Sequence, residues 1–439
     1  MSDVLRLGIA GLGTVGVGVV RLLAARGGEL AQNGGRRIEI TAVCARDRNK
    51  DRGIAIDSYE WYDDPVTLAR EARIDMLVEL IGGEEGPARA ATEAALARGI
   101  DVVTANKALL AHHGTELAHL AEANGANLGF EAAIAGGIPI VKAMRESLAG
   151  NAIARVYGIL NGTCNYILTK MEQEGRDFAD VLAEAQELGY AEADPSFDVG
   201  GHDAAHKLAL LACLAFGREV NFDAVYIEGI EAITSDDIAA AAELGYRIKL
   251  LGVAQATGGG VEARVHPTLV PRGSAIAEVS GVFNAVVVEG DFVGEVMLFG
   301  RGAGEGPTAS AVVGDIVDIA RGCQVAPFGR KAGALKPYVR APMRAHEGGY
   351  FTRLSVYDRP GAIASIAQRM ADQNISIASI IQRNRDKAAR HARPEDAPPA
   401  AVTLVTHETT EEAMRTALAA IERDGHIAGP PQTIRIEPT

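Results

Sequence analysis

A glycine-rich turn lies directly behind the first apolar run of the chain, and it restricts the fold more than any other feature. The turn, Gly11-Leu-Gly13-Thr-Val-Gly16, follows the apolar residues 5–10 and opens a helix-like segment at residues 17–31. Glycines at this spacing permit a tight turn and a close approach of the backbone to a pyrophosphate, which faces the positive end of the helix. Because the pattern stands at the start of a β/α unit, it predicts a dinucleotide-binding Rossmann domain.

Apolar runs and helix-like segments continue to alternate through the first 131 residues. The further strands are predicted at residues 38–44, 76–81, 102–104 and 127–131, and a second helix at residues 87–98. Alternation of this kind is typical of an α/β domain with a doubly wound parallel sheet. We therefore assign residues 1–131 to an NAD(P)-binding Rossmann domain.

The pattern changes in residues 132–300, where long helical stretches precede strand-rich sequence. Helices are predicted at residues 178–188, 204–216 and 235–246, and strands between residues 250 and 297. This order predicts an α+β domain with its own sheet. Residues 301–341 contain the end of a glycine-rich turn and a helix at 308–321, and we expect this return segment to pack on the nucleotide domain.

The final unit, residues 349–439, follows a loose segment at 341–348. It has the order strand, helix, strand, strand, helix, strand, at residues 350–356, 363–373, 376–382, 401–406, 410–423 and 432–436. This is the order of the ferredoxin-like fold. Residues 383–400, which carry many charges and three prolines, are predicted to form a mobile hairpin tip.

Charge, hydropathy and cysteine spacing exclude several classes of protein. The formal net charge of -14 argues against a nucleic-acid partner, which would require a basic face. No apolar run approaches the ~20 residues that span a bilayer, so we expect no membrane partner. The four cysteines form no CxxC pair, which suits the reducing cytoplasm.

A carboxylate and a lysine stand four residues apart at the start of a strongly apolar helix. Asp203 and Lys207 therefore share one helix face, and residues 208–216 are apolar on every side. A surface ion pair is the alternative explanation, but a lysine that enters a buried helix is costly unless it is paired or functional. Desolvation would lower the pKa of Lys207 toward neutrality, which suits a proton-transferring group held by Asp203.

The end of the second strand bears on the choice between NADP and NAD. Arg46 is placed to bind a 2′-phosphate, and Lys50 is nearby. An acidic residue at this point would instead bind the ribose 2′-hydroxyl, and Asp47 leaves NAD open. The sequence favours NADP.

The segment 185–207 closely resembles the signature of the homoserine dehydrogenase family. Residues 79–83, 106–107, 158–163 and 307–310 are also similar to that family, and the resemblance extends from residue 1 to about residue 435. It implies a cytoplasmic enzyme that reversibly reduces L-aspartate 4-semialdehyde to L-homoserine with NAD(P)H. It also implies that residues 132–300 bind substrate and form the dimer contact of a homodimer or homotetramer.

Carried over position by position, the resemblance implies a role for each matching residue. Lys207 would protonate the semialdehyde oxygen, Lys107 would lie beside the nicotinamide and the reacting carbon, and Asp203 would complete the catalytic set. Glu192 and Asp203 would hold the amino end of the substrate, with Asp198, Tyr190 and Thr163 beside them. The implied cofactor contacts, besides Arg46 and Lys107, are Gly11, Leu12, Gly13, Thr14, Val15, Gly16, Gly189 and Gly304.

Residues 131–138 resemble the monovalent-cation loop of the same family. There the carboxylate of Glu131 and the carbonyls of Ile134, Gly136 and Ile138 would bind sodium. Ligands that are all oxygens suit a hard cation. The resemblance implies that this cation is structural.

Three alternatives compete with this interpretation. Cys164 stands where many relatives carry threonine and invites a thiol-nucleophile mechanism, but no activating base is near in sequence, so an inert buried thiol is favoured. His202 and His206 have a spacing that could bind zinc, but a third ligand is missing. A catalytically inactive amino-acid sensor with the same fold is the third alternative.

Residues 358–367 resemble the first turn of an ACT domain. The turn at Gly361 would expose backbone amides at a helix N-terminus, where an amino-acid carboxylate can bind. The resemblance implies feedback inhibition with L-threonine as effector. A purely structural dimerisation module is the alternative.

Overall fold

The computed structural model describes residues 3–341, 347–382 and 399–437 of the chain. The predicted hairpin tip at 383–400 lies outside the described residues, apart from its last two. Most of the loose segment at 341–348 lies outside them as well.

The first part of the chain folds into a six-stranded, fully parallel sheet flanked by helices. Its elements are β1 (Val4–Ala10), α1 (Thr14–Gly34), β2 (Arg37–Cys44), β3 (Glu60–Tyr62), α2 (Pro65–Glu71), β4 (Met76–Glu79), α3 (Pro87–Ala97), β5 (Asp101–Thr104), α4 (Lys107–Ala123) and β6 (Leu128–Gly129). The strand order is β3-β2-β1-β4-β5-β6, and every pairing is parallel. The predicted doubly wound Rossmann sheet is confirmed. The short strand β3 was not predicted, because three residues are too few to show a periodicity.

The middle of the chain supplies the helices that carry the site and most of a second sheet. Its elements are α5 (Ala132–Ala135), α6 (Ile140–Lys142), β7 (Ile153–Ile159), α7 (Gly162–Glu174), α8 (Phe178–Glu187), α9 (Ser196–Val199), α10 (His202–Phe216), β8 (Tyr226–Ile227), α11 (Ser235–Glu243), β9 (Tyr246–Thr257), β10 (Gly260–Pro271), β11 (Phe283–Gly290), β12 (Gly294–Arg301) and α12 (Glu305–Ala320). Helix α10 lies against this sheet and is buried from Asp203 to Ala215, because it is apolar on all sides.

Helix α12 packs along α1 of the nucleotide domain, as the sequence predicted for the return segment. The contact is close because Gly18 of α1 has no side chain: a Cβ there would lie 2.7 Å from the side chain of Glu305 and 3.1 Å from that of Ala309. Arg21 and Glu305 form an ion pair at 2.9 Å across the same contact.

The C-terminal unit has the predicted ferredoxin-like order. Its elements are β13 (Glu347–Val356), α13 (Ala362–Asp372), β14 (Ile377–Gln382), β15 (Ala400–Thr406), β16 (Thr409–Thr410), α14 (Glu411–Arg423) and β17 (Gln432–Ile436). The four main strands lie in the order β17-β13-β15-β14, and the short β16 pairs with β13.

The expectation of a separate sheet for the middle domain was wrong. Strand β17 pairs in parallel with β10, through Thr268 with Arg435 and Leu269 with Ile436, and this joins both units in one eleven-stranded sheet. One charged cluster lies at this junction: buried Arg264 of β10 binds Glu437, and Arg155 of β7 binds the same carboxylate at 2.7 Å. The boundaries 1–131, 132–300, 301–341 and 349–439 stay predictions.

Two further findings concern membranes and thiols. Within the described ranges, no helix is both long enough and apolar enough to cross a membrane. All four cysteines are free thiols, three of them buried and Cys323 exposed.

Candidate active site

The glycine turn has the backbone that a bound pyrophosphate requires. Gly11 has a φ of +107°, and a Cβ at this position would lie 2.5 Å from the carbonyl oxygen of Leu80. A Cβ on Gly16 would collide with the carbonyl oxygen of Gly11, whereas Gly13 has no atom within 4 Å of its Cβ position. Two glycines are therefore needed for the turn itself, and the third leaves open space beside it.

A cavity of about 420 Å³ opens next to this turn, at the carboxyl ends of β1, β2 and β4. Its lining residues include Gly11, Leu12, Gly13, Ala45, Arg46, Asp47, Lys50, Arg52, Leu80 and Ile81. This is the edge of a doubly wound sheet at which dinucleotides bind. Thr14 is the exposed first residue of α1, Val15 is half-buried, and Gly304, with a φ of +112°, caps the start of α12.

Arg46 and Asp47 differ in the hydrogen-bond partners of their side chains. Arg46 is exposed and makes no hydrogen bond or ion pair with any residue that the structure describes. The Asp47 carboxylate accepts a hydrogen bond from the amide of Asn49 at 2.8 Å, and its carbonyl accepts one from Arg52 at 2.6 Å. The guanidinium of Arg46 is therefore the group that is free to meet an anion in this cavity.

The loop after β4 is held by a buried carboxylate that the sequence analysis did not assign. Glu79 is fully buried, and one of its oxygens accepts hydrogen bonds from the amides of Ile81 and Gly82 at 2.7 and 3.1 Å. The other oxygen accepts the hydroxyl of Thr104 at 2.5 Å. Glu79 thus fixes the backbone that borders the cofactor cavity and ties β4 to β5.

Two lysines meet at one aspartate where the nucleotide domain contacts α10. Asp203 accepts a hydrogen bond from Lys207 Nζ on Oδ2 at 2.7 Å, and Lys107 Nζ lies 2.8 Å from its Oδ1. Lys107 begins α4, directly after β5, so it comes from the nucleotide domain. A second hydrogen bond, to the carbonyl oxygen of Leu160 at 2.7 Å, fixes the ammonium of Lys207. The structure therefore brings the three predicted catalytic residues together.

Asn161 connects the two aspartates of the site, and the sequence analysis gave it no role. Its Nδ2 donates to Asp198 Oδ1 and to Asp203 Oδ2, each at 2.8 Å, while its Oδ1 caps α7 at the amide of Cys164. An asparagine before a helix predicts a cap, and that part of its role was accessible from the sequence. The bridge between the carboxylates depends on the tertiary fold.

Burial and charge shift the pKa values of this cluster in different directions. Burial and the nearby ammonium of Lys107 lower the pKa of Lys207, although Asp203 opposes them. Burial also acts to lower the pKa of Lys107, but the Asp203 carboxylate outweighs it and raises that pKa above its ordinary value. For Asp203 itself, burial is outweighed by the two ammonium groups, which hold its pKa well below the usual range. Lys207 is thus the lysine of the pair that gives up a proton more readily.

A second cavity, of about 470 Å³, lies beside Lys107. Its lining residues are Gly82, Gly83, Glu84, Ala105, Asn106, Lys107, Ala108, Phe197 and His206. Lys107 Nζ lies 5.9 Å from the centre of the Phe197 ring, within the range of a cation–π contact. The cavity therefore places a charged amine and an aromatic ring next to the carboxyl ends of β4 and β5.

The remaining residues predicted for the substrate pocket lie around the loop that follows α8. The Thr163 hydroxyl donates to the carbonyl oxygen of Tyr190 at 2.7 Å, and Tyr190 is half exposed. Gly189 has a φ of +73° at the end of the helix. Glu192 is exposed, and its charge contributes to the raised pKa of Lys107. Of this group, Glu192 is the residue whose charge acts on the lysine cluster.

Some of the oxygen ligands in the proposed cation loop already accept hydrogen bonds within the protein. The two carboxylate oxygens of Glu131 accept hydrogen bonds from two amides of α6, at 2.8 and 2.9 Å. The carbonyl of Ile138 accepts a hydrogen bond from the amide of Ile140 at 2.8 Å. Ile134 lies in α5, and Gly136, with a φ of +55°, follows the last residue of that helix. Each of these oxygens keeps a second lone pair, so the donor set fits a hard monovalent cation.

The geometry argues against the thiol nucleophile and the zinc site. Cys164 is fully buried, and burial raises the pKa of its thiol well above the ordinary value, while its Sγ donates to the carbonyl of Asp198 at 3.2 Å. The His206 ring packs on that of Phe222 with centres 4.4 Å apart, and burial lowers the pKa of His206 to about 4. Within the part of the chain that the structure describes, no three histidine, cysteine or acidic side chains gather as metal ligands.

A glycine turn on a doubly wound sheet, with a buried lysine held by an aspartate beside the carboxyl ends of its strands, defines an NAD(P)-dependent oxidoreductase. Family models agree with this class: residues 11–131 match the NAD binding domain of homoserine dehydrogenase, residues 139–317 match homoserine dehydrogenase, and residues 350–424 match the ACT domain.

Individual relatives give the same result over the full chain. Homoserine dehydrogenase of Neisseria gonorrhoeae is 45% identical over 437 residues, which cover 98% of each chain. The crystal structure of a homoserine dehydrogenase from Thiobacillus denitrificans matches with a TM-score of 0.91 and 43% identity, and covers 99% of this chain and 98% of its own. A hyperthermophilic archaeal homoserine dehydrogenase in complex with NADPH matches with a TM-score of 0.63 and 28% identity, over 73% of this chain and 99% of its own. The chain belongs to the homoserine dehydrogenase family.

Proposed function

We propose that this enzyme interconverts L-aspartate 4-semialdehyde and L-homoserine with Lys207 as the proton-transferring group. The observation that carries the proposal is Asp203, which holds the ammonium groups of Lys107 and Lys207 at 2.8 and 2.7 Å. One carboxylate thereby fixes both cations between the nucleotide domain and a buried helix.

The hydrogen bonds of Lys207 leave one proton for the substrate. An ammonium has three N–H donors, and two of them are used by Asp203 and by the carbonyl of Leu160. The third donates to the aldehyde oxygen and passes to it as that oxygen gains negative charge, giving the alcohol. In the reverse direction, neutral Lys207 takes the hydroxyl proton. The nicotinamide cofactor, when bound, supplies or receives the hydride.

Lys107 has a different role in this proposal, because its pKa is raised rather than lowered. It keeps its charge throughout the reaction and stabilises the negative charge that develops on the substrate oxygen. As the first residue of α4, it would lie between the nicotinamide and the substrate. Glu192 and Asp203 hold the amino end of the substrate, with Asp198, Tyr190 and Thr163 beside them.

We further propose that NADP is the preferred cofactor. The free guanidinium of Arg46 in the dinucleotide cavity supports this, as does the NADPH complex of the archaeal relative. Arg46→Ala is expected to lower kcat/KM for NADPH by about tenfold or more and to leave kcat/KM for NADH nearly unchanged. Arg48→Ala, whose side chain lies 5.8 Å over Trp61, is the matched control. Clear preference of the wild type for NADH would contradict the assignment.

Three finer assignments complete the proposal. Sodium binds as a structural cation to Glu131 and to the carbonyls of Ile134, Gly136 and Ile138, whose oxygens suit it. The ACT unit responds to L-threonine at the turn before Gly361, which has a φ of +91° and caps the eleven-residue helix α13. The enzyme assembles as a homodimer or homotetramer. Unchanged rate and melting temperature with L-threonine would favour the purely structural function of the ACT unit.

The experiment that tests the main proposal follows both substrates directly. Purified enzyme is mixed with L-aspartate 4-semialdehyde and NADPH, and loss of NADPH absorbance is compared with the L-homoserine detected by mass spectrometry. Equal amounts of NADPH consumed and homoserine formed are expected. Absence of homoserine with both NADPH and NADH would overturn the proposal and leave the amino-acid sensor.

A further inference from the structure

The turn between β7 and α7 holds both members of the buried lysine–aspartate pair. The carbonyl oxygen of Leu160 accepts a hydrogen bond from Lys207 Nζ at 2.7 Å, and the next side chain, that of Asn161, donates to Asp203 Oδ2 at 2.8 Å. The turn is tightly packed, because a Cβ on Gly162 would lie 2.7 Å from a backbone oxygen of the segment before β11. Two consecutive residues of one turn therefore hold the lysine and its aspartate.

The orientation of the Asn161 amide follows from its hydrogen bonds. The residue is 4% exposed, and its Oδ1 accepts a hydrogen bond from the amide of Cys164, in the first turn of α7, at 2.8 Å. An oxygen must face that N–H donor, so Nδ2 faces the carboxylates of Asp198 and Asp203. Both N–H groups of Nδ2 are used, one for each carboxylate, at 2.8 Å. The reversed amide would instead place an oxygen against two carboxylates.

The two carboxylates lie close enough to repel each other. Asp198 Oδ1 and Asp203 Oδ2 are bonded to the same nitrogen, so no more than two hydrogen-bond lengths separate them. Like charges at such a distance disfavour the ionisation of one of the two groups. Burial and the charge of Asp203 raise the pKa of Asp198, and the groups that oppose this rise are the amide of Asn161 and the ammonium groups of Lys207 in α10 and Lys107 in α4. The amide of Asn161 thus favours the ionised form of Asp198 without adding a charge.

We propose that Asn161 is a positioning residue for the reaction. Its amide holds the carboxylates of Asp198 and Asp203 side by side in their charged forms. Asp203 then keeps the ammonium of Lys207 in place, and the two carboxylates together present negative charge to the amino end of the substrate. Asn161 acts through the aspartates, because its oxygen and both of its N–H groups are bonded to protein groups. The inference rests on the proton-transferring role of Lys207 proposed above and deepens it.

Asn161→Ser separates the bridge between the carboxylates from the helix cap. Serine caps a helix about as well as asparagine, so the amide of Cys164 keeps an acceptor. The shorter side chain has one O–H group and no amide, so it cannot bridge two carboxylates. Without the bridge, repulsion by Asp203 raises the pKa of Asp198 further, and Asp198 takes up a proton at a higher pH. One negative charge beside the substrate ammonium is then lost.

The assay is the initial rate of semialdehyde reduction by NADPH in the full-length enzyme, between about pH 5 and about pH 8. A low pH keeps Lys207 protonated, so a fall of kcat/KM on the acid side reports the carboxylates. His206 stays neutral in this range, because burial lowers its pKa to about 4. Asn161→Ser should move the acid fall to a higher pH than in the wild type. It should also lower kcat/KM by about 10–10²-fold, since the lysine and the substrate are held less well.

A double variant tests whether Asn161 acts through the pair of carboxylates. In the Asp198→Asn background there is no repulsion for the amide to offset, so adding Asn161→Ser should leave the acid fall where it is in Asp198→Asn alone. Asn221→Ser is the matched control in the wild-type background. The Asn221 side chain also caps a helical turn, where its Oδ1 accepts the amide of Ala224 at 3.0 Å, and this variant should retain the wild-type profile.

An acid fall and a kcat/KM in Asn161→Ser equal to those of the wild type would overturn the proposal and leave Asn161 as a helix cap. A shift of the same size in the Asp198→Asn background would overturn it as well. Melting temperature and NADP affinity report the fold of each variant, and Asn161→Thr, which also caps a helix, replaces the serine variant if that one does not fold. Absence of homoserine with the wild type would overturn the proposed function too, whereas wild-type turnover with an unshifted variant overturns the role of Asn161 alone.

Discussion

Removal of the charge on Asp203 tests whether this carboxylate controls the pKa of Lys207. Asp203→Asn keeps the shape of the side chain but removes the carboxylate that contacts Lys207 Nζ at 2.7 Å. Burial and Lys107 both lower the pKa of Lys207, and Asp203 is the main group that opposes them. An opposite charge at this distance stabilises the ammonium form of an amine by about 1.4–4 kcal/mol and so holds its pKa up. The pKa of Lys207 should therefore fall further in the variant.

The assay is kcat/KM for semialdehyde reduction between about pH 6 and about pH 10. Reduction needs protonated Lys207, so its rate is constant at low pH and falls as the pH rises through the pKa of that lysine. In Asp203→Asn the fall should begin at a lower pH than in the wild type, because the carboxylate that stabilises the Lys207 ammonium is gone. Asp194→Asn is the control, because Asp194 lies in the loop before α9 and its carboxylate accepts a hydrogen bond from the amide of Ser196, the first residue of that helix. An alkaline fall at the same pH in Asp203→Asn and wild type would refute the tuning argument.

Two further predictions concern the cofactor turn and the junction of the units. Gly11→Ala should lower the melting temperature and abolish NADP binding, because the new Cβ collides with the carbonyl of Leu80 and the left-handed backbone adds about 1–3 kcal/mol of strain. Gly13→Ala is the control and should keep the wild-type melting temperature. Equal melting temperatures for both variants would contradict the turn geometry. Arg264→Met should reduce the free energy of unfolding by about 3–5 kcal/mol in urea titrations, since it removes the buried guanidinium that pairs with the carboxylates of Glu262 and Glu437. Arg272→Met, at an exposed ion pair, should change it by less than about 1 kcal/mol, and similar losses in both variants would contradict a special role for the buried cluster.

Local patterns in the sequence were sufficient for the elements and for one half of the catalytic cluster. The glycine turn identified the dinucleotide cavity, and the four-residue spacing of Asp203 and Lys207 on an apolar helix identified the buried pair. These features are readable because each depends on residues that are near one another in the chain.

The missed features depend on contacts between distant segments. Asn161 reads as a helix cap, and its bridge between Asp198 and Asp203 exists because α7 and α10 pack side by side. In the sequence, Glu79 cannot be distinguished from an ordinary strand residue, because its carboxylate is bound by amides of the loop after β4 only in the folded chain. The parallel pairing of β17 with β10 leaves no local pattern, so the joined sheet could not be predicted from the sequence.

A comparison of the wild type with Lys207→Met tests whether Lys207 transfers the proton. NADP reduction by L-homoserine is measured at alkaline pH in the wild type and in Lys207→Met, with NADP binding followed by quenching of protein fluorescence in both. We expect a fall in kcat of about 10²–10⁴-fold with unchanged NADP affinity, because α10, which carries Lys207, contributes no residue to the lining of the dinucleotide cavity. A variant that binds NADP normally and keeps kcat within about threefold of the wild type would show that Lys207 does not transfer the proton.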